Sequence, residues 1–156
     1  MDNLSVERFV QYLQVKSVQP DPDYKSAVAF LEKYAKELNL KCKVVEVHPN
    51  RPVVVMTWDG VKGSSAGSIL LNSHIDVVPV DEEKWTHPPF EAKIVDGKIF
   101  ARGSQDMKII GIQYMEAIRR LQKEGFVPQR TVHLTWVPGN DELYKNVFFK
   151  YVINNR

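Results

Sequence analysis

Apolar residues recur at helical spacing in three segments of the chain. The first is short and ends at the prolines within residues 19–23, because a residue that precedes proline avoids the α region. The second runs from Tyr24 to Leu38, and Asp23 stands where it can cap the helix start. The third begins near Met107 and stops before Gly125. This pattern predicts three amphipathic helices.

Strand-like runs separate the second and third helices and follow the third. One of them contains Ile69-Leu70-Leu71, a continuous apolar run typical of a strand buried on both faces. A long polar stretch, residues 81–97, ends in Asp96-Gly97, which predicts a hairpin turn. The last run alternates apolar Val132, Leu134 and Trp136 with polar residues. The predicted strands are residues 43–47, 52–58, 68–72 and 131–137.

The order of these elements predicts an α/β fold. Helices interleaved with strands favour a mostly parallel, mixed sheet flanked by helices. In such folds ligands bind beyond the carboxyl ends of the strands. Polar side chains at the ends of strands are therefore the candidates for a functional site.

Composition narrows the classes of protein to which the chain can belong. Its 156 residues are 44% hydrophobic and 26% charged, which is typical of one globular domain. The 21 Lys and Arg residues against 19 Asp and Glu residues form no basic stripe, so we do not expect a nucleic-acid partner. The amino terminus lacks the features of a signal peptide, and no segment has transmembrane length. We expect a cytoplasmic protein without a membrane partner.

The only cysteine, Cys42, limits the chemistry of any metal site. One cysteine cannot form an intrachain disulfide, and it excludes a zinc site built from several thiolates. A bound metal must therefore rest on His and carboxylate side chains.

Two polar residues follow the apolar strand that ends near residue 72. His74 and Asp76 are two apart, so in extended chain they point to the same side. Asp76 can then accept a hydrogen bond from one imidazole nitrogen and leave the other free for a metal. Such a pair is also common as a surface or structural pair, so the spacing alone leaves both interpretations open.

Asp106 joins a strand end to the longest predicted helix. We expect it in the first helical turn, where the helix dipole favours the ionised carboxylate that a dication needs as a ligand. The same position also suits an Asp that only caps the helix. Convergence of His74, Asp76 and Asp106 at one sheet edge favours a metal site.

The segments around these residues resemble the signature blocks of the aminoacylase family, within the zinc-dependent aminoacylase and carboxypeptidase superfamily. The similarity extends to Val18-Gln19-Pro20, to Pro22-Asp23-Tyr24 and to Pro89-Phe90-Glu91-Ala92, and covers nearly everything from the first helix to Pro138. The blocks themselves are residues 72–80, residues 100–103 and residues 105–108.

The resemblance implies a metal-dependent amidohydrolase that converts N-acyl-L-amino acids to a carboxylate and an L-amino acid. Its cofactor would be two zinc ions, which lower the pKa of a bridging water and polarise the amide carbonyl. By the resemblance, His74 binds one zinc ion, Asp76 orients His74 in the catalytic site, and Asp106 bridges both ions. A glutamate would carry the proton to the leaving amine. Members of the family form homodimers through a second domain.

After Pro138 the chain departs from the family pattern, in which Val-Pro is followed by Asp-Glu-Glu. The middle Glu of that run is the base, and the last Glu is a zinc ligand. Aligned without a gap, Asn140 replaces the base and Asp141 replaces the ligand, and an asparagine cannot take up the proton. A two-residue slip brings Asp141 and Glu142 into register, but Leu143 then falls where the last Glu belongs.

We therefore interpret residues 1–138 as the amino-terminal part of a truncated catalytic zinc-hydrolase domain and residues 139–156 as a divergent tail. Our hypothesis is that the tail is read through from a retained intron or a mispredicted gene. Sequencing the transcript across that junction tests it, and a continuous mature exon would contradict it. On this hypothesis the later zinc ligands and the dimerisation domain are missing, the chain itself is inactive, and an uncovered sheet edge lowers solubility.

Two other functions remain open at this stage. The chain could be a non-catalytic fragment that keeps weak metal binding or pairs with a full-length relative, and Asn140 favours this alternative. Without the family resemblance, the residues support only an open α/β domain that binds a small ligand at its strand ends.

Several other side chains are weaker candidates for a function. We expect His133 to be structural. Lys108 and Arg102 could contact a substrate carboxylate or form a salt bridge behind the site. Trp85 and Phe90 could line an acyl pocket or hold the long loop in place.

Overall fold

The computed structural model describes residues 3–139. Its three helices confirm the predicted number and order. Asp23 caps the second helix, because its carboxylate accepts a hydrogen bond of 3.0 Å from the Ser26 amide. The third helix begins at Lys108, so Asp106 lies two residues before it and not in its first turn. The helices are α1 (Asn3–Leu13), α2 (Tyr24–Glu37) and α3 (Lys108–Lys123).

Six strands form the β structure of the described residues. The predicted hairpin is confirmed: β4 and β5 are antiparallel, and Asp96 and Gly97 between them both have positive φ. That conformation is typical of a two-residue hairpin turn. The strands are β1 (Lys41–His48), β2 (Arg51–Trp58), β3 (Ser68–His74), β4 (Lys93–Val95), β5 (Lys98–Phe100) and β6 (Thr131–Val137).

The main sheet has the strand order β1-β2-β6-β3. A mixed sheet flanked by helices was predicted, and it is confirmed. Among the described strands, however, β1 with β2 and β2 with β6 are antiparallel, and only β3 with β6 is parallel. The expectation of mostly parallel pairing therefore fails for this part of the sheet. A short turn at residues 49–50 joins β1 directly to β2, and such a turn permits only antiparallel pairing.

One face of the main sheet packs into the core with all three helices. Val54 and Met56 of β2 lie opposite Trp136 and Leu134 of β6, and all four side chains are fully buried. Helix α3 approaches this face at Gly111, where an added Cβ would lie 2.5 Å from Trp136 Nε1. Only glycine permits such a close approach. The predicted apolar face of β6 is thus the core face.

Strand β3 is less buried than the sequence predicted. Ile69 is 42% exposed and Leu70 is 36% exposed. The prediction of burial on both faces is therefore wrong for the first half of β3. The reason is position: β3 is the last strand of the main sheet in the described part of the chain, with β6 as its neighbour there.

Within residues 3–139, no helix combines the length and the apolar character needed to span a bilayer.

Candidate metal centre

Strands β3 and β6 bring the candidate residues to one edge of the sheet. His74 is the last residue of β3 and pairs with Val137 at the end of β6. The chain continues in step for one more residue, since the Ile75 amide donates to the Val137 carbonyl at 2.8 Å. The two carboxyl ends are therefore adjacent and held in register.

His74 lies between two aspartates. Its Nδ1 is 2.8 Å from the Asp76 carbonyl oxygen and 3.2 Å from Asp76 Oδ1, and its Nε2 is 3.0 Å from Asp106 Oδ1. A carbonyl oxygen only accepts hydrogen bonds, so Nδ1 carries a hydrogen and donates it. Nε2 is thereby turned toward Asp106. The sequence-predicted trio is thus together in space.

The three side chains differ in exposure. His74 is 8% exposed as a residue, whereas the Asp106 side chain is 87% exposed. The Asp76 side chain, at 15%, is nearly as buried as the imidazole that it contacts. The arrangement therefore has a buried, fixed side at His74 and Asp76 and an open side at Asp106.

The charges of this cluster support one another in the metal-free protein. Burial lowers the pKa of His74, but the hydrogen bonds to Asp76 and Asp106 outweigh it and raise that pKa to about 9. Burial likewise raises the pKa of Asp76, but hydrogen bonds from His74 and Gln19 outweigh it, so the pKa is below its ordinary value. At neutral pH His74 is therefore an imidazolium beside an ionised Asp76.

Asp106 is carried by a tight loop between β5 and α3. In this loop Gly103 has φ +85°, and an added Cβ would lie 2.8 Å from a methyl group of Val77. The Lys108 amide donates to the Gly103 carbonyl at 3.1 Å, and the Asp106–Met107 peptide bond is cis. The loop thus packs directly on the chain that follows β3, which is why Asp106 lies near His74.

Two contributors to the site were not assigned a role from the sequence. Gln19 donates from Nε2 to Asp76 Oδ2 at 3.0 Å. Tyr24 Oη contacts the same Gln19 nitrogen at 3.4 Å and donates to the carbonyl of Pro138, where β6 ends. Gln19 lies before α2 and Tyr24 is its first residue, and both belong to the short segments that carry the family resemblance, which was the only available signal. Hydrogen bonds to a residue 57 positions away cannot be derived from a pattern of polarity.

Lys108 and Arg102 take structural positions. Lys108 is 1% exposed, and its ammonium donates to the carbonyls of Tyr12 at 3.0 Å and Val15 at 2.7 Å, so it stabilises the chain at the end of α1. Arg102 stacks on Trp85, with the guanidinium carbon 5.1 Å from the ring centre. The burial of Lys108 among backbone carbonyls therefore argues against a substrate contact, and Arg102 contacts the long loop through Trp85.

The remaining predicted residues lie apart from the site or outside the described residues. His133 lies on β6 with Nδ1 3.0 Å from Thr57 Oγ1, as expected for a structural histidine. Asn140 and Asp141 fall outside residues 3–139. Within that range, no three His, Cys, Asp or Glu side chains form a group that could hold a metal ion.

Comparison with known proteins finds relatives of this chain. The model of the peptidase family M20/M25/M40 matches residues 70–141, a range that contains His74, Asp76 and Asp106. Aminoacylase-1 from Sus scrofa and from Homo sapiens are each 54% identical over 138 residues, which is 88% of this chain. Aminoacylase-1 from Dictyostelium discoideum is 38% identical over 141 residues. Each alignment covers 34% of the relative, so the chain spans about a third of their length.

Solved structures with the same fold superpose on most of this chain. Human carnosine dipeptidase 1 superposes with a TM-score of 0.78 at 17% identity over 95% of this chain and 35% of its own. A M20 family metallo-carboxypeptidase from Sulfolobus solfataricus superposes with a TM-score of 0.71 at 25% identity over 87% of this chain and 30% of its own. Over most of its length this chain is similar to the amino-terminal part of aminoacylase-1, and its residues 70–141 match the peptidase family M20/M25/M40.

Proposed function

We propose that this chain carries part of the zinc site of an N-acyl-L-amino-acid amidohydrolase. In this proposal His74 and Asp106 are zinc ligands, and Asp76 orients His74. One observation carries it: Nε2 of His74 and Oδ1 of Asp106 lie 3.0 Å apart at the carboxyl ends of the strands. The 54% identity to aminoacylase-1 supports the substrate class.

The donor atoms fit a zinc ion. Zinc bonds to imidazole nitrogen and carboxylate oxygen are both about 2.0–2.2 Å long, so two such ligands in tetrahedral geometry are roughly 3.3 Å apart. The observed 3.0 Å is close to that spacing. Because the Asp106 carboxylate is largely exposed, it also has the freedom to bridge a second ion, as we propose.

The chain's own residues prepare the site in three ways. Asp76 accepts the hydrogen bond from Nδ1 of His74, so the proton stays on this nitrogen. Nε2 can then bind the metal through its lone pair after it has lost its own proton. Burial of His74 fixes the ring, and Asp106 supplies negative charge opposite it. A bound zinc ion would supply Lewis-acid polarisation of an amide carbonyl and a lowered pKa for a coordinated water.

A second candidate is a non-catalytic fragment that binds metal weakly or pairs with a full-length relative. It is favoured by the absence of a three-ligand group among residues 3–139. In our proposal Asp141 is a further, weak ligand, and Asn140 stands where the family has its base. We also propose a cytoplasmic location.

Zinc content and turnover, measured on the same preparation, test these proposals. We expect bound zinc in the wild-type chain and its loss in His74→Gln, because that variant removes a ligand. His133→Gln is the matched control, since His133 lies on β6 and contacts Thr57. Release of methionine from N-acetylmethionine at stoichiometric zinc would support the enzyme and contradict the fragment. Zinc without turnover would support the fragment, and a wild-type chain without zinc would contradict the proposed site.

A further inference from the structure

The Asp76 carboxylate is shared between two donors. Nδ1 of His74 lies 3.2 Å from Oδ1, and Nε2 of Gln19 lies 3.0 Å from Oδ2. An ionised carboxylate only accepts, so the amide nitrogen of Gln19, and not its oxygen, must face it. One donor on each oxygen fixes the rotation of the carboxylate about its last bond. Without Gln19, the carboxylate would lose the side-chain donor on Oδ2.

Backbone hydrogen bonds join Gln19 to the segment after β3 that contains Asp76. The backbone amide of Gln19 donates to the Val77 carbonyl at 3.0 Å, and the Val77 amide donates to the Ser17 carbonyl at 2.8 Å. Ser17 Oγ also donates to the Ile75 carbonyl at 2.7 Å. The segment between α1 and α2 therefore runs beside the chain that leaves β3. Three hydrogen bonds thus join the segment that carries Gln19 to the segment that carries Asp76.

The hydroxyl of Tyr24 contacts the side-chain amide of Gln19 and is itself fixed by other contacts. The Tyr24 hydroxyl contacts Gln19 Nε2 at 3.4 Å, accepts from Arg51 Nη1 at 3.2 Å, and donates to the Pro138 carbonyl. Arg51 also stacks on the Tyr24 ring, with its guanidinium carbon 5.5 Å from the ring centre. These contacts connect α2, β2 and the end of β6 to the amide that faces Asp76.

We propose that Gln19 is a positioning residue of the metal site. Its amide, held by Tyr24, fixes the Asp76 carboxylate beside Nδ1 of His74, where it adds to the hydrogen bond from Nδ1 to the Asp76 carbonyl and keeps the ring oriented with Nε2 toward Asp106. This inference rests on the proposed zinc site. It assigns to the segment before α2 a part in the site that His74, Asp76 and Asp106 alone do not describe.

Two variants and one control test the inference. Gln19→Leu removes the amide that donates to Asp76 while keeping a similar side-chain length, and Gln19→Glu replaces that amide by a carboxylate that Asp76 repels. Gln122→Leu is the matched control, because Gln122 donates its amide to the Leu38 carbonyl at 2.9 Å, away from the site. Zinc affinity is measured by competition with a chromophoric chelator, and the free energy of unfolding by urea titration. In the metal-free protein, NMR follows exchange of the His74 Nδ1 proton with water.

We expect both Gln19 variants to bind zinc roughly tenfold more weakly, the size of effect that outer partners of metal ligands usually have. We also expect faster exchange of the His74 Nδ1 proton, with neither change in Gln122→Leu. Wild-type zinc affinity with unchanged exchange in Gln19→Leu would overturn the inference, as would equal losses of affinity in Gln122→Leu. If the wild-type chain binds no zinc, the proposed function fails, but the exchange of the Nδ1 proton still decides whether Gln19 positions His74.

Discussion

In the first half of β3 apolar side chains are exposed, whereas in the second half polar side chains are buried. At its start, the apolar residues Ile69 and Leu70 are 42% and 36% exposed. At its end, the polar residues Ser73 and His74 are 0% and 8% exposed. A half-exposed strand normally shows apolar burial and polar exposure. Along β3, burial follows what packs on the strand and not the character of its own side chains.

The partners of each half explain the difference. Burial of a polar group costs free energy unless the group is hydrogen-bonded, and His74 has Asp76 and Asp106 as partners. Ser73 faces α3, where an added Cβ on Gly111 would lie 3.4 Å from its hydroxyl oxygen. Ile69 and Leu70 lie at the other end of the strand. The buried half of β3 is therefore covered by α3 at Ser73 and by the partners of His74 at its end.

The close approach of α3 at Gly111 should produce the largest effect on stability. In Gly111→Ala the new Cβ would lie 2.5 Å from Trp136 Nε1 and 3.1 Å from Trp136 Cε2, both fully buried. Overpacking of this kind costs about 1–3 kcal/mol. The helix itself would gain about 0.5–1 kcal/mol from alanine. We expect a net loss of stability in urea unfolding.

The sign of that change separates packing from helix propensity. Ala117→Gly, on the exposed side of α3, is the control, and it should cost about 0.5–1 kcal/mol from propensity alone. A gain of stability in Gly111→Ala of the same size would contradict close packing between α3 and the buried half of β3.

Substitution of Asp76 tests whether it orients His74, the polar residue at the end of β3. Asp76→Ala removes the carboxylate that Nδ1 of His74 and Nε2 of Gln19 share, while Nδ1 keeps its hydrogen bond of 2.8 Å to the backbone carbonyl of residue 76. Loss of such a partner typically weakens metal binding by about 10–100-fold. We expect a loss of zinc affinity in this range by chelator competition. Asp96→Ala, in the exposed turn between β4 and β5, should bind zinc as the wild type does. Unchanged zinc affinity in Asp76→Ala would argue against an orienting role.

The pH dependence of stability should identify the His74 cluster in the metal-free chain. The pKa of His74 is raised from its ordinary 6.5 to about 9, because hydrogen bonds to Asp76 and Asp106 outweigh the opposing effect of burial. A raised pKa adds stability that is complete below pH 6.5 and is lost as pH rises toward 9. We therefore expect the stability difference between wild type and His74→Gln to shrink over that interval.

The buried Lys108 acts in the opposite direction, so the comparison must be made between variants. Burial lowers its pKa to about 7, which makes the folded state relatively more stable as pH rises above 7. Both proteins contain Lys108, and its contribution cancels in the difference. A difference that stays constant from pH 6 to 10 would contradict the raised pKa of His74.

The sequence predicted which residues meet at the site better than it predicted how they are held. His74 and Asp76 were found because residues two apart in a strand share a side, and Asp106 because it follows the next strand end. The contact between Gln19 and Asp76 joins residues 57 apart, which no local period encodes. The exposure of Ile69 was missed for a related reason. An apolar run predicts that a strand tends to be buried. Whether its side chains are buried depends on which other segments of the chain pack against them.

The exposed half of β3 should give the smallest change in stability and a separate change in solubility. Leu70→Thr keeps a side chain suited to strands and removes apolar surface that is 36% exposed. Surface changes of this kind usually alter stability by no more than about 0.5 kcal/mol. An exposed apolar strand edge favours pairing between chains, so we expect higher soluble yield and less light scattering on concentration.

Leu71→Thr is the matched control for this last change. Leu71 is the next residue of β3, lies opposite Leu134 and packs against the buried core. Its replacement by threonine should therefore cost more stability, on the order of 1–2 kcal/mol, and should not raise soluble yield. If Leu70→Thr were as destabilising as Leu71→Thr, then Leu70 would be buried in solution by some contact that residues 3–139 do not supply. The apolar side chains in the first half of β3 would then be buried, as their polarity predicts.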